Sequence, residues 1–188
     1  MRLDPAQSLL LVVDVQERLV PAMRESEDFL AHVGALVEIA GLLAVPVLAT
    51  EQAPEKLGAT HADLIARLVP TGADRVAKST FSAYGAPEVR AWLQARRTER
   101  PHVVLAGLES HICVQQTALD LLAEGFRAWA VEDAIAARHD MGYRVGLARM
   151  GQAGAIAACV ESVAFEWLGG AEHPAFRRVQ ALVKDMPS

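Results

Sequence analysis

The sequence predicts an α/β fold: a sheet of parallel strands between two layers of helices, a three-layer sandwich. Short apolar runs alternate along the chain with segments of helical periodicity, the pattern of repeated strand-helix units. The strongest runs, "SLLLVVD" and "HVVLAG", are continuously apolar, as strands covered on both faces are. No internal repeat, low-complexity tract or linker interrupts the 188 residues, so one domain spanning 1–188 is expected, large enough for a well-filled core.

The strands are read in order over residues 8–14, 44–50, 74–78, 102–107, 127–133 and 155–162. The segment 28–43 carries apolar residues at helical spacing, with Asp28 near its N-cap. A short helix over 60–68 is closed by Pro70, and the helix over 85–97 has Pro87 near its start, where proline is tolerated. The helix over 111–124 ends at Gly125, a natural C-cap. Two more are read over 140–151 and 174–184. The loops over 51–60 and 79–86 are polar, contain glycine and follow strands, where open α/β sheets hold their ligands.

Composition excludes several classes. The formal charge is −5 and no Lys/Arg-rich run occurs, "RRTER" being a short mixed patch; nucleic acid and anionic membrane are not the expected partners. The N-terminus is polar with Pro5, and the apolar run 9–13 is too short for a signal sequence or a membrane span. Two cysteines, Cys113 and Cys159, do not form a disulfide framework; reduced thiols in the cytoplasm are expected.

Apolar runs repeatedly finish on reactive groups. "LLLVVD" ends on Asp14, "RVAK" on Lys78, and "VVLAGLESHIC" delivers Cys113 just past a strand, in the first turn of a helix. With parallel strands these ends share one edge of the sheet. A free thiol is mostly protonated at neutral pH. The unpaired N–H groups of a helix start and a neighbouring ammonium favour the thiolate, while an aspartate can take the thiol proton and return it to a leaving group. Each residue also has a structural reading: Cys113 as core packing, Asp14 as a turn or cap residue, Lys78 as a solvated lysine.

Neighbouring residues extend the candidate site. Gln52 is placed to hydrogen-bond a substrate amide, or is an ordinary loop residue. Phe81 and Tyr84 wall an apolar pocket, or one of them packs under the loop. Gln16 orients Asp14 or satisfies loop backbone. His111, two before the thiol, is read as structural, and Glu109 as a charge shaping the pocket. Asp133 and Arg138 are expected to hold the loop after the fifth strand. Cys159 is expected in the core, and Phe165 and Trp167 in the core or a subunit interface.

The segments "LLLVVDVQERL", "PVLATEQAPEKLG", "KSTFSAYG", "GLESHICVQQTALDLLAEGF", "EDAIAAR", "ARMGQAGA" and "EHPAF" together resemble the isochorismatase-like cysteine hydrolases, and among them the isochorismatase domain-containing group. The resemblance implies a six-stranded parallel sheet in a Rossmann-like order, with the first and fourth strands adjacent. It implies a catalytic triad of Asp14, Lys78 and Cys113 acting on a small amide or related acyl substrate through a thioester. It also implies a cis peptide at Leu108–Glu109, which would turn the Glu109 and Cys113 N–H groups toward an oxyanion. Isochorismatases proper cleave a vinyl ether without needing a cysteine, so Cys113 speaks against isochorismate. Nicotinamidases carry an Asp-x-His metal motif after the second strand. Here that region reads "TEQAPEKLGATHAD"; His61 is read as a helix-start residue, and no metal or cofactor is expected. The family often forms dimers or larger rings, so a small-molecule substrate and a homo-oligomer are the expected partners. The alternatives are a non-catalytic homo-oligomeric scaffold that keeps the fold, and a redox-sensing thiol protein.

Overall fold

Continuous apolarity places β1 (Ser8–Val13) in the middle of the sheet, buried along its whole length. The computed structural model describes residues 1–187. Six strands, β1, β2 (Val47–Gln52), β3 (Asp74–Lys78), β4 (His102–Leu108), β5 (Arg127–Ala136) and β6 (Ile156–Ala158), form one parallel sheet in the order β3-β2-β1-β4-β5-β6. The fold class and the neighbouring first and fourth strands are as the sequence predicts.

Alternate residues of β1 feed two cores, as the two-residue period of a strand requires. Leu10 and Val12 point to one face, with Val33, Leu36 and Ile39 of α1 (Ser26–Leu42), Leu64 and Leu68 of α3 (Ala62–Leu68), Trp167 of α7 (Val160–Leu168) and Val179 of α8 (Phe176–Lys184). Leu9, Leu11 and Val13 point to the other, with Val89 and Leu93 of α4 (Pro87–Gln94), Ala118 and Leu121 of α5 (Gln115–Ala123) and Met150 of α6 (Asp140–Gln152). Each such leucine contributes about 1.5–3 kcal/mol by leaving water. A one-turn helix, α2 (Pro54–Leu57), lies in the loop after β2. No helix among the described residues is long and apolar enough to cross a membrane.

Three expectations are corrected here. The run read as a strand over 155–162 is strand only over Ile156–Ala158; at Val160 it turns into α7, whose N-cap is Cys159. Cys159 is therefore exposed and not core: its sulfur accepts from the Ser162 N–H, and the Ser162 hydroxyl accepts from the Cys159 N–H, a reciprocal cap. Second, α5 is preceded by a π-helical turn, Ser110–Val114, so Cys113 sits in a widened turn rather than a regular helix start. Third, the Leu108–Glu109 bond is trans; the described residues contain no cis peptide. Trans is the ground state by about 3–4 kcal/mol for a non-proline bond, and Leu108 stays in the ladder opposite Ala136.

Glycine lets the two central strands meet. Gly107 has φ +122°, and a Cβ there would lie 2.1 Å from the Val13 carbonyl oxygen. Only glycine tolerates both the angle and that approach. The irregularity between Leu105 and Gly107 lets β5 continue to Ala136, three residues beyond its predicted end.

Candidate functional site

The site forms where β1 and β4 part at their C-terminal ends, the switch point of a doubly wound sheet. Asp14 follows β1 with φ +54°, a left-handed conformation that aspartate adopts more readily than most residues. It is fully buried, and both carboxylate oxygens are engaged. Oδ1 accepts from the Thr50 hydroxyl at 2.7 Å, and Oδ2 accepts from Lys78 Nζ at 2.7 Å.

Lys78 ends β3, and its ammonium reaches Asp14 although β2 lies between their strands. Its side chain is 0% exposed. Besides Asp14, its ammonium donates to Gln52 Oε1 at 2.7 Å and to the carbonyls of Thr80 and Phe81 at 3.0 and 3.1 Å. A buried ammonium needs such partners, since an unpaired charge there costs several kcal/mol.

Cys113 is 7% exposed and completes the group. Burial above all pushes its thiol up to about 12; the negative charge of Asp14, a hydrogen bond with that carboxylate, and the charge of Glu109 push the same way, while Lys78 pulls it down. The sequence reading holds for the lysine, which does favour the thiolate, but burial and Asp14 outweigh it, and the resting group is a thiol beside a carboxylate. Such an arrangement can pass a proton from sulfur to Asp14 when an electrophile arrives, leaving the sulfur's charge beside the ammonium.

The surrounding residues sort themselves. Gln16 Nε2 donates to the carbonyls of Gln52 and Gly58 at 3.0 and 2.6 Å, and its Oε1 accepts from the Gln52 N–H at 2.8 Å, which is the backbone-satisfying role. The Gln52 amide is occupied by Lys78 and by the Ser79 carbonyl, 3.0 Å away. Phe81 is 58% exposed, whereas Tyr84 is 4% exposed. Tyr84 packs under the loop edge-on to Phe126, its hydroxyl accepting from Gln94 at 2.5 Å.

Glu109 receives the Arg138 side chain Nε and backbone N–H, each at 3.1 Å, so Arg138 does hold the loop after β5. Asp133 instead caps α7 by accepting from the Val160 N–H at 2.9 Å. His111 lies against Gly142 of α6, where a Cβ would come within 2.7 Å of its ring. His61 is the N-cap of α3. Among the described residues no three His, Cys, Asp or Glu side chains gather as a metal site would need.

Two residues were not singled out from the sequence. Thr50 ends β2's buried run at the level of Asp14, and Thr117 follows Cys113 by four. The first could be found by aligning strand ends, the second from helical spacing. A cleft of about 820 Å³ lies elsewhere, lined in part by His32, Asp133, Tyr143, Cys159 and Glu161; neither Asp14, Lys78 nor Cys113 borders it.

The Isochorismatase domain model matches residues 8–162. Isochorismatase domain-containing protein 1 of Salmo salar is 37% identical over 182 residues, covering 97% of this chain and 62% of that protein, so the chain spans under two thirds of this relative. The solved structure of the MAR1 ribonuclease from Caenorhabditis elegans superposes with a TM-score of 0.93 at 31% identity, over 100% of this chain and 95% of that one. The YcaC gene product of Escherichia coli, described as an octameric hydrolase of unknown specificity, superposes with a TM-score of 0.86 at 24% identity, over 100% of this chain and 98% of that one; this last likeness is one of fold.

Proposed function

Because the chain belongs to the isochorismatase family, we propose that it works, as one domain, as a cysteine-dependent hydrolase of a small amide or related acyl compound. The observation that carries this is the buried meeting of Asp14, Lys78 and Cys113 from three separate elements. In the proposed cycle, the Cys113 thiol gives its proton to Asp14 as the sulfur attacks the acyl carbon. Lys78 balances the negative charge. The carbonyl oxygen becomes an oxyanion held by the Cys113 N–H; the neighbouring N–H groups of Ile112 and Val114 both donate to the Glu109 carbonyl. The trans Leu108–Glu109 bond removes the reason for enlisting the Glu109 N–H, so the proposal rests on Cys113 for that donor. Collapse expels the amine, which takes the proton from Asp14, and leaves a thioester. Water then gives a proton to Asp14 and attacks the thioester, and the acid leaves as Asp14 re-protonates the sulfur.

The nematode neighbour's name raises RNA as a substrate class, but a formal charge of −5 without a basic run supports a small molecule. We also place the protein in the cytoplasm, in keeping with two unpaired cysteines, and as a homo-oligomer, as the E. coli neighbour is described.

The test is ammonia release from a panel of primary amides and N-carbamoyl compounds. Activity on at least one is expected, with Cys113→Ala lowering it at least ~10³-fold while circular dichroism stays unchanged. Hydrolysis that survives in Cys113→Ala would overturn the nucleophile assignment. An inert wild-type protein would favour the scaffold alternative.

A further inference from the structure

The hydroxyl of Thr117 lies one helical turn beyond Cys113 and works in two directions. It donates to the carbonyl of Cys113 at 2.6 Å and accepts from the Ala83 N–H at 2.8 Å. Thr117 and Ala83 are both 0% exposed, so neither bond has water as a substitute. Back-bonding of threonine to the carbonyl four residues earlier is common in helices. The second bond is what sets this one apart, because it reaches a different element.

Ala83 opens the short 3₁₀ turn Ala83–Gly85 that closes the loop after Lys78. The same loop supplies two of the four acceptors around the ammonium, the carbonyls of Thr80 and Phe81. Within it, the Thr80 hydroxyl donates to the Ser82 carbonyl at 2.8 Å. The seat of the lysine is therefore joined to the backbone of the cysteine along a route that does not pass through Asp14.

We propose that Thr117 is a positioning residue whose hydroxyl fixes Lys78 relative to the Cys113 sulfur, by pinning the lysine's loop to the cysteine's own carbonyl. This rests on the assignment of Cys113 as nucleophile. Packing alone would be met by valine, which has the shape of threonine and no hydroxyl. The charges facing the sulfur are Asp14, Lys78 and Glu109, the last paired with Arg138. Of these, only Lys78 favours the thiolate, and its seat is the one Thr117 holds.

The test compares Thr117→Val with Thr117→Ser by alkylation with iodoacetamide across the alkaline range, Cys113 and Cys159 being read separately by peptide mass spectrometry. Thr117→Val is expected to alkylate at Cys113 roughly tenfold more slowly at a given pH, in keeping with the rate losses that small misplacements cause, with its curve moved to higher pH and Cys159 unaffected. Thr117→Ser should follow the wild type. A folded Thr117→Val with the wild-type curve, or a Thr117→Ser as slow as the valine variant, overturns the proposal.

Should the valine variant not fold, Thr117→Ala decides. It removes both hydroxyl bonds and adds no atom against the buried Ala83 N–H or the Cys113 carbonyl. Slowed alkylation there supports the proposal and the wild-type curve overturns it. Alkylation needs no substrate, so a wild type that hydrolyses no amide would end the hydrolase reading while leaving this comparison intact.

Discussion

Lys78 shows how much a single residue type settles at this site. An ammonium has three protons, and four oxygens surround it, so one proton is shared. Replacing it by methionine keeps the length and removes the charge. Asp14 would then be a buried carboxylate with no cation beside it, and Lys78→Met is expected to lose about 3–5 kcal/mol of stability, measured by urea unfolding, together with any amide hydrolysis. Cys113 predicts a pH effect. In the unfolded chain its thiol ionises near 9.0, whereas burial and Asp14 keep the proton on the folded one up to about 12. The folded state thus holds the extra proton in that window, so stability falls as pH rises through it and is untouched below it. Unfolding curves taken at increasing pH should show this slope in the wild type and a shallower one in Cys113→Ala. Asp14, Lys78 and Cys113 were legible because each is a reactive group ending an apolar run. Thr50 and Thr117 were not, because threonine is ordinary in both strands and helices, and only the fold reveals what its hydroxyl meets.

At the scale of elements, the site depends on how closely neighbours approach. α6 rests on the π-helical turn through glycine: a Cβ at Gly146 would stand 2.6 Å from the Ser110 carbonyl, and the Ser110 hydroxyl donates to the Gly142 carbonyl at 3.1 Å. Gly107 performs the same service between β1 and β4. Gly107→Ala would put a methyl against the Val13 backbone at a strained φ, and a loss of about 3 kcal/mol or more is expected, read as a lower urea midpoint. Because the residue after Val13 is Asp14, a folded remnant should also alkylate abnormally at Cys113. The sequence marked β3 correctly over Asp74–Lys78 and placed the other strands to within a few residues. It missed α7, since "AIAACVES" runs apolar as far as Val160 and changes from strand to helix without glycine or proline; the cap is a cysteine, a type that signals neither. The π-helical turn carries no local signature either, since the extra residue shows only in its hydrogen bonds.

The whole molecule is a sheet whose order was predictable from the family pattern and whose surface was not. Met141 and Val145, four apart on α6, are 63% and 50% exposed, and Phe165 is 38% exposed. Apolar side chains paired on an outer helical face are the raw material of subunit contacts. Light scattering of the purified protein is expected to give a mass that is a multiple of the single chain's; a monomer at working concentration would contradict the proposed assembly. The order β3-β2-β1-β4-β5-β6 also bears on synthesis. A nascent chain leaves the ribosome N-terminus first, so β1 can dock with β2 while its opposite edge waits for β4, still inside the exit tunnel. Throughout that interval a strand that is apolar but for Ser8 offers open backbone along one edge to any passing polypeptide, and only the emergence of His102–Leu108 closes it.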